Sequence, residues 1–182
     1  MRGVLLDRDG VINRERPDYV KHWDEFEFLP GALSALSHLA SLDWPILVIT
    51  NQSAVGRGLV ALEVVADIHR HMTTAVVAAG GRIDGVFVCP HHPDAGCACR
   101  KPRPGLLQQA AAAFDLRLAD CYFIGDAISD LLAAQAVGCR PILVRSGLEG
   151  PRLPQRLRGH DDVPLLPDLA HAAALILACE AG

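Results

Sequence analysis

Short apolar runs recur along the chain, each followed by a loop and then by a helical stripe. Val4-Leu5-Leu6, Ile46-Leu47-Val48-Ile49, Val86-Phe87-Val88, Tyr122-Phe123-Ile124 and Ile142-Leu143-Val144 are continuous rather than alternating. Strands that are apolar at every position are covered on both faces, as in a parallel sheet packed between helices. Between them, Leu33, Leu36 and Leu39, then Val65, Ile68, Met72, Val76 and Ala79, fall at steps of three and four. Leu107, Ala110 and Phe114, and later Ile128, Leu131 and Gln135, do the same, so each set occupies one helical face. Pro30 and Pro104 stand where helices begin, and Gly80-Gly81 where one ends. The pattern predicts an α/β fold, a Rossmann-like three-layer sandwich around a central parallel sheet. Its crossovers are right-handed and its loops gather at the carboxyl ends of the strands, where such sheets bind ligands. Residues 10–29 form a polar, aromatic-bearing insertion after the first strand. Residues 147–164 hold Gly, Pro and Arg without periodicity and read as surface loop, and Leu169 to Cys179 reads as a terminal helix.

Composition narrows the class. At 182 residues the chain is expected to form one domain, 1–182, and 51% hydrophobic against 21% charged residues excludes wholesale disorder. A net charge of −4 argues against a dedicated nucleic-acid binder. No apolar run approaches the roughly 18 residues that span a bilayer, so no membrane partner is expected. Val4-Leu5-Leu6 breaks at Asp7-Arg8-Asp9, too soon for a secretory core, and the expectation is a cytoplasmic monomer without disulfides. Cys121, Cys139 and Cys179 read as buried thiols.

Candidate chemistry lies at the strand ends. Asp7 and Asp9 follow the first strand two residues apart, and carboxylates that close repel unless a cation or proton separates them. Asp-Gly is equally at home in a solvated turn. Thr50-Asn51-Gln52-Ser53 closes the second strand with hydroxyls and amides that can donate to phosphate oxygens, or simply cap a helix. Cys89-x-His91 and, after five residues, Cys97-x-Cys99 offer three thiols and an imidazole, a set suited to tetrahedral zinc with no open position, hence a structural metal loop over 89–101. Arg100-Lys101 follows directly. Gly125-Asp126 ends the fourth strand, with Asp130 four residues on; Asp126 suits a hard cation or a helix cap.

In order and spacing, Asp7-x-Asp9-Gly10, Thr50, Lys101 and Gly125-Asp126…Asp130 resemble the haloacid dehalogenase superfamily of phosphotransferases, over residues 4 to about 146. Asp7-Arg8-Asp9-Gly10-Val11-Ile12-Asn13, Thr50-Asn51-Gln52-Ser53 and the Cys-x-His…Cys-x-Cys-Arg-Lys-Pro run resemble the D-glycero-D-manno-heptose-1,7-bisphosphate 7-phosphatase branch, with histidinol-phosphate phosphatases as near relatives. The resemblance implies no large cap domain and a phosphatase using Mg²⁺ and a structural Zn²⁺. Asp7 is then the nucleophile and Asp9 the general acid and base. Mg²⁺ falls to Asp7, the Asp9 carbonyl and Asp126, and the transferring phosphoryl group to Thr50 and Lys101. A small phosphorylated sugar is implied as substrate, contacted by Arg16, Asp18, Tyr19, Asn51, Gln52 and Ser53, with Arg100 on a second phosphate. Histidinol phosphate is the first alternative and a nucleic-acid 3′-phosphatase the second. A non-enzymatic zinc-loop module touching a polyanion through Arg100, Lys101 and Arg103 is disfavoured, because such a module would not gather carboxylates beside its ligand.

Overall fold

A computed structural model describes residues 1–181. The elements follow the alternation read from the hydrophobic runs: β1 (Val4–Leu6), α1 (Ala32–Leu39), β2 (Ile46–Asn51), α2 (Ser53–Gly56), α3 (Leu62–Ala78) and β3 (Gly85–Cys89). The second half supplies α4 (Gly105–Phe114), β4 (Tyr122–Gly125), α5 (Ile128–Ala136), β5 (Arg140–Val144), α6 (Leu153–Arg156), β6 (Leu165–Leu166) and α7 (Leu169–Glu180). The strands form one six-stranded sheet in the order β3-β2-β1-β4-β5-β6, and every pairing is parallel. Strand order reverses between β1 and β4, which makes their carboxyl ends the topological switch point.

The continuous apolar runs are explained by two-sided burial. Val4 and Leu6 of β1, with Ile46 and Val48 of β2 and Ile124 of β4, pack into one core with Leu36 and Leu39 of α1, Met72 and Val76 of α3 and Ile176 of α7. Leu5, Leu47, Ile49 and Phe123 point the other way, into a second core with Leu106, Leu107 and Ala110 of α4 and Ala133 and Ala134 of α5. Neighbouring positions on one strand therefore serve opposite layers. A third cluster of Leu131, Leu143, Leu153, Leu157 and Val163 folds part of the 147–164 segment onto the sheet. That segment was expected to be loop throughout, yet it contains α6. Two leucines of β6 extend the sheet beyond the five predicted strands, a run too short to register as a strand in sequence.

Residues 10–29 are not a loose excursion. The Arg8 carbonyl accepts hydrogen bonds from the Val11, Ile12 and Asn13 amides, and Gly10 turns the chain at a φ of 80°. Val11, Ile12 and Val20 are buried, while Trp23 stacks on Phe26 and on His71 of α3 with ring centroids 5.0 and 5.2 Å apart. Aromatic contact thus fastens the insertion to α3. All six cysteines are free thiols. Cys121 and Cys139 are buried as expected, but Cys179 is exposed, in the last turn of α7 beyond its buried residues Leu169, Ala172, Ala173 and Ile176. Among the described residues no helix is long and apolar enough to cross a membrane.

Candidate active site

Because β1 and β4 are neighbours in register (Leu6↔Ile124), the residues that follow them arrive side by side. The Asp7 amide donates to the Ile124 carbonyl at 2.9 Å, continuing the ladder one step past the strand. Carboxylate oxygens of Asp7, Asp126 and Asp130 all lie within 4.8 Å of one another. Lys101 comes in from the loop after β3. Its Nζ lies 2.9 Å from Asp7 Oδ2 and 2.7 Å from Asp130 Oδ1, and donates to the Ile49 carbonyl at 2.8 Å. Lys101 is 3% exposed, so these contacts are made out of water's reach. The Asp130 carboxylate also accepts from the Asp126 and Ala127 amides, both at 3.1 Å, fixing the loop that carries Asp126.

One ammonium does not neutralise three carboxylates. Burial, opposed by the Lys101 charge and aided by Asp130, pushes Asp7 up to about 7. Burial and then the charges of Asp7, Asp130 and Glu15 hold Asp126 well above the usual carboxylate range. Such a concentration of buried negative charge fits a divalent cation. The backbone fits one too: a Cβ on Gly10 or on Gly147 would strike the Asp126 carboxylate, so only glycine lets both segments close around it.

Asp9 is held differently. Arg8 Nη2 and Asn13 Nδ2 both donate to its Oδ1 at 2.9 Å, and Gln52 Nε2 donates to Oδ2 at 2.8 Å. Burial alone would raise Asp9, but the Arg8 charge and these hydrogen bonds outweigh it and keep the carboxyl below its ordinary value. Gln52 Nε2 also donates to Thr50 Oγ1 at 2.9 Å, which leaves the Thr50 hydroxyl proton free for another acceptor.

These groups lie at the base of a cavity of about 390 Å³, walled by Asp7, Asp9, Arg16, Tyr19, Asn51, Gln52, Ser53, Arg100 and Asp126 among the expected residues. Three expected residues lie off the wall. Thr50 and Lys101 are buried behind it, and Asp18 turns away to pair with Arg16 (3.1 Å) and Lys21 (2.9 Å) on the surface. Asn51 and Gln52 reach the wall, but their amides are engaged by protein. Asn51 Oδ1 accepts from the Lys101 amide at 3.1 Å and its Nδ2 donates to the Lys101 carbonyl at 3.2 Å, a clasp between β2 and the loop after β3. Arg100 Nη1 is buried without a hydrogen-bond partner among the described residues. Arg8, Glu15, Arg57 and Glu149 also line the cavity. Arg8 belongs to the quoted Asp7-to-Asn13 motif and Arg57 to the glycine-bounded loop after Thr50, whereas Glu15 and Glu149 read in sequence as ordinary charged residues.

The loop after β3 brings Cys89, His91, Cys97 and Cys99 together. Sulfur–sulfur separations are 3.6 Å (Cys89–Cys97) and 3.5 Å (Cys97–Cys99), and His91 Nδ1 lies 3.6 Å from Cys89 Sγ and 3.2 Å from Cys99 Sγ. Tetrahedral zinc with bonds of about 2.0–2.3 Å sets its ligands roughly 3.5–3.8 Å apart, so the donor set fits in type and spacing. The loop that carries the cluster packs closely on α2, where a Cβ on Gly56 would strike the His91–His92 backbone, and its Cys97 carbonyl accepts from Arg103 Nη1 at 2.6 Å.

A parallel sheet carrying an Asp-x-Asp turn after one strand and an aspartate after its neighbour, bridged by a buried lysine, defines a phosphotransferase of the haloacid dehalogenase type. The HAD-hydrolase-like family model matches residues 98–172. The D-glycero-beta-D-manno-heptose-1,7-bisphosphate 7-phosphatase of Bordetella bronchiseptica is 44% identical over 147 residues, 81% of this chain and 82% of that one. The D-glycero-alpha-D-manno-heptose-1,7-bisphosphate 7-phosphatase of Mycobacterium tuberculosis is 43% identical over 154 residues, 81% of each chain. The crystal structure of D,D-heptose 1,7-bisphosphate phosphatase from B. bronchiseptica, complexed with magnesium and phosphate, superposes with a TM-score of 0.92 at 40% identity, covering 98% of this chain and 99% of that one. The chain belongs to the haloacid dehalogenase-like hydrolases, in their heptose-bisphosphate phosphatase branch.

Proposed function

We propose that this protein hydrolyses D-glycero-D-manno-heptose 1,7-bisphosphate at the 7-phosphate through a covalent aspartyl-phosphate on Asp7. One observation carries this reading: Asp7, Asp126, Lys101 and Asp130 meet at the switch point while Asp9, two residues on, is held apart by donors on both its oxygens. Asp7, Asp126 and the main-chain oxygen of Asp9 would hold Mg²⁺, which when bound offsets the repulsion between anionic nucleophile and anionic phosphate.

An Asp7 carboxylate oxygen bonds to phosphorus as the ester P–O bond breaks, and the departing alkoxide takes its proton from Asp9. The arriving phosphate dianion raises the proton affinity of the neighbouring Asp9, whose carboxylate takes up a proton from solvent as substrate binds and then passes it to the departing oxygen. In the second half Asp9 takes a proton from water, the water oxygen bonds to phosphorus, and the Asp7 carboxylate departs with its electron pair. Lys101 holds Asp7 in place, and with the free Thr50 hydroxyl proton it offsets charge on the transferring phosphoryl oxygens. Arg100, with a buried nitrogen unpaired at the cavity wall, suits the distal phosphate.

Arg16 and Tyr19, on the cavity wall, would contact the sugar with Ser53, and the clasped Asn51 would aim Arg100 and Lys101 instead. The Cys89-His91-Cys97-Cys99 set would hold Zn²⁺ as a structural brace within a single domain over 1–182, with 10–29 as a fixed insertion. The site is complete within one chain, which supports a monomer, and the unbridged thiols of Cys121, Cys139 and Cys179 outside the zinc set support the cytoplasm. A panel of phosphorylated metabolites, with both heptose bisphosphate anomers and histidinol phosphate, tests the reading. The bisphosphates are expected to show the highest kcat/KM, and Arg100→Ala is expected to weaken their use far more than that of monophosphates. Equal losses, or a preference for histidinol phosphate, would overturn the substrate assignment.

A further inference from the structure

Arg8 is 0% exposed, although it stands between the two aspartates of the turn. A guanidinium carries only donors and keeps its charge in proteins. Its Nη2 donates to Asp9 Oδ1 at 2.9 Å, and its Nη1 lies 2.9 Å from Nε2 of His69, a residue of α3 that is itself 6% exposed. The Phe26 ring closes the remaining side, 5.9 Å from Arg8 Cζ, and Arg8 Nε has no hydrogen-bond partner among the described residues. A nitrogen that meets a guanidinium at hydrogen-bond distance must accept, so His69 is a neutral imidazole with its proton on Nδ1. The planar fork then allows little freedom: with Nη1 anchored on α3, Nη2, joined to it through Cζ, is aimed at Asp9 Oδ1.

We propose that His69 and Arg8 are a positioning pair for proton transfer by Asp9, the imidazole acting through the guanidinium. The inference rests on the reading of Asp9 as general acid and base. Without the His69 acceptor, Arg8 Nη1 is a buried unpaired donor and the fork turns away from Asp9 Oδ1, leaving Asn13 as the only donor there among the described residues.

The leaving group separates positioning from structure. An alkyl phosphate needs a proton on its departing oxygen, whereas a p-nitrophenyl phosphate does not, because nitrophenolate leaves unprotonated. Single-turnover phosphorylation in the Mg²⁺-loaded enzyme is measured on both esters for wild type, His69→Phe, His69→Gln and Asp9→Asn. His69→Phe is expected to slow the alkyl ester about tenfold or more, a fraction of the whole effect of a general acid, with KM within about twofold. It should leave the aryl ester's first turnover within about threefold. His69→Gln, whose carbonyl can accept from Arg8, is expected to restore the alkyl rate. Equal slowing of both esters, no slowing, or a loss that Gln does not rescue would overturn the pairing. If Asp9→Asn itself shows no leaving-group dependence, the reading of Asp9 fails; if it does and His69→Phe does not, only the positioning role fails. Imidazole ¹⁵N shifts of the metal-free protein near neutral pH should report Nδ1–H and a bare Nε2 for His69. An Nε2–H or doubly protonated ring would also refute the pairing.

Discussion

Replacing Lys101 by methionine removes the one ammonium from a buried group of carboxylates while nearly preserving volume. At an effective dielectric near 20, charges 2.7 and 2.9 Å apart attract by about 6 kcal/mol each before desolvation is counted. Burying the lysine offsets most of that sum, so the pair's presence is worth much less than the gross figure. Its loss is another matter, because Asp7 and Asp130 then remain buried without a counter-charge. Truncating one partner of a buried pair costs about 3–5 kcal/mol, which lowers the melting temperature of a chain this size by roughly 10 °C. Urea titration of metal-free wild type and Lys101→Met measures the difference. Adding Mg²⁺ should recover part of it, since a cation bound only by the folded state stabilises that state. The double variant Lys101→Met/Asp130→Asn, with one charge fewer to bury, should be more stable than Lys101→Met by over about 1 kcal/mol. A loss below about 1 kcal/mol in the single variant, or a double variant less stable still, would refute the claim that Lys101 neutralises this group.

Gly147→Ala drives a Cβ onto the Asp126 carboxylate and should weaken Mg²⁺ binding about tenfold or more by calorimetry, about 1.4 kcal/mol; unchanged affinity would separate Asp126 from the cation. Burial, together with the Arg8 charge, holds His69 down at about 3, against 6.5 in the unfolded chain. Between those values the unfolded state binds the extra proton, so this residue's contribution to stability is complete above pH 6.5 and is lost as pH falls toward 3, by about 1.4 kcal/mol per unit. The stability difference between wild type and His69→Gln should therefore shrink with acidification over that window; a pH-independent difference contradicts a neutral buried imidazole. A chelator that removes the proposed zinc should speed amide exchange through 89–101, including the Lys101 amide that Asn51 clasps, and lower the melting temperature. Unchanged exchange would mean that the loop holds itself.

What the sequence revealed was whatever sits next to a strand. Asp7, Thr50, Cys89 and Asp126 each end or follow an apolar run, so the run that predicts the strand also predicts which edge of the sheet the side chain reaches. The Cys89-His91-Cys97-Cys99 set announced itself by spacing. His69 gave no such signal, because it lies on α3 beside Ile68, and a histidine there reads as part of an ordinary core-facing stripe. Asn51 and Gln52 were legible as polar groups at the mouth of the sheet. Their tasks were not, since those depend on the loop after β3 folding back to offer the Lys101 backbone and on Asp9 turning toward β2. Asp18 read in sequence as a charged neighbour of Arg16; in the fold its carboxylate pairs with Arg16 and, past the turn at Tyr19 with φ of 66°, with Lys21 at the surface.

Covalent transfer to Asp7 is most directly tested by acid-quenching the Mg²⁺-loaded enzyme during turnover of a phosphate-labelled bisphosphate and mapping the label by peptide mass. The account predicts a phosphoryl group on the peptide that contains Asp7, lost in Asp7→Asn together with at least about 10³-fold of the rate, a barrier increase of roughly 4 kcal/mol. Label on any other residue, or an Asp7→Asn enzyme that still turns over at the wild-type rate, would contradict it.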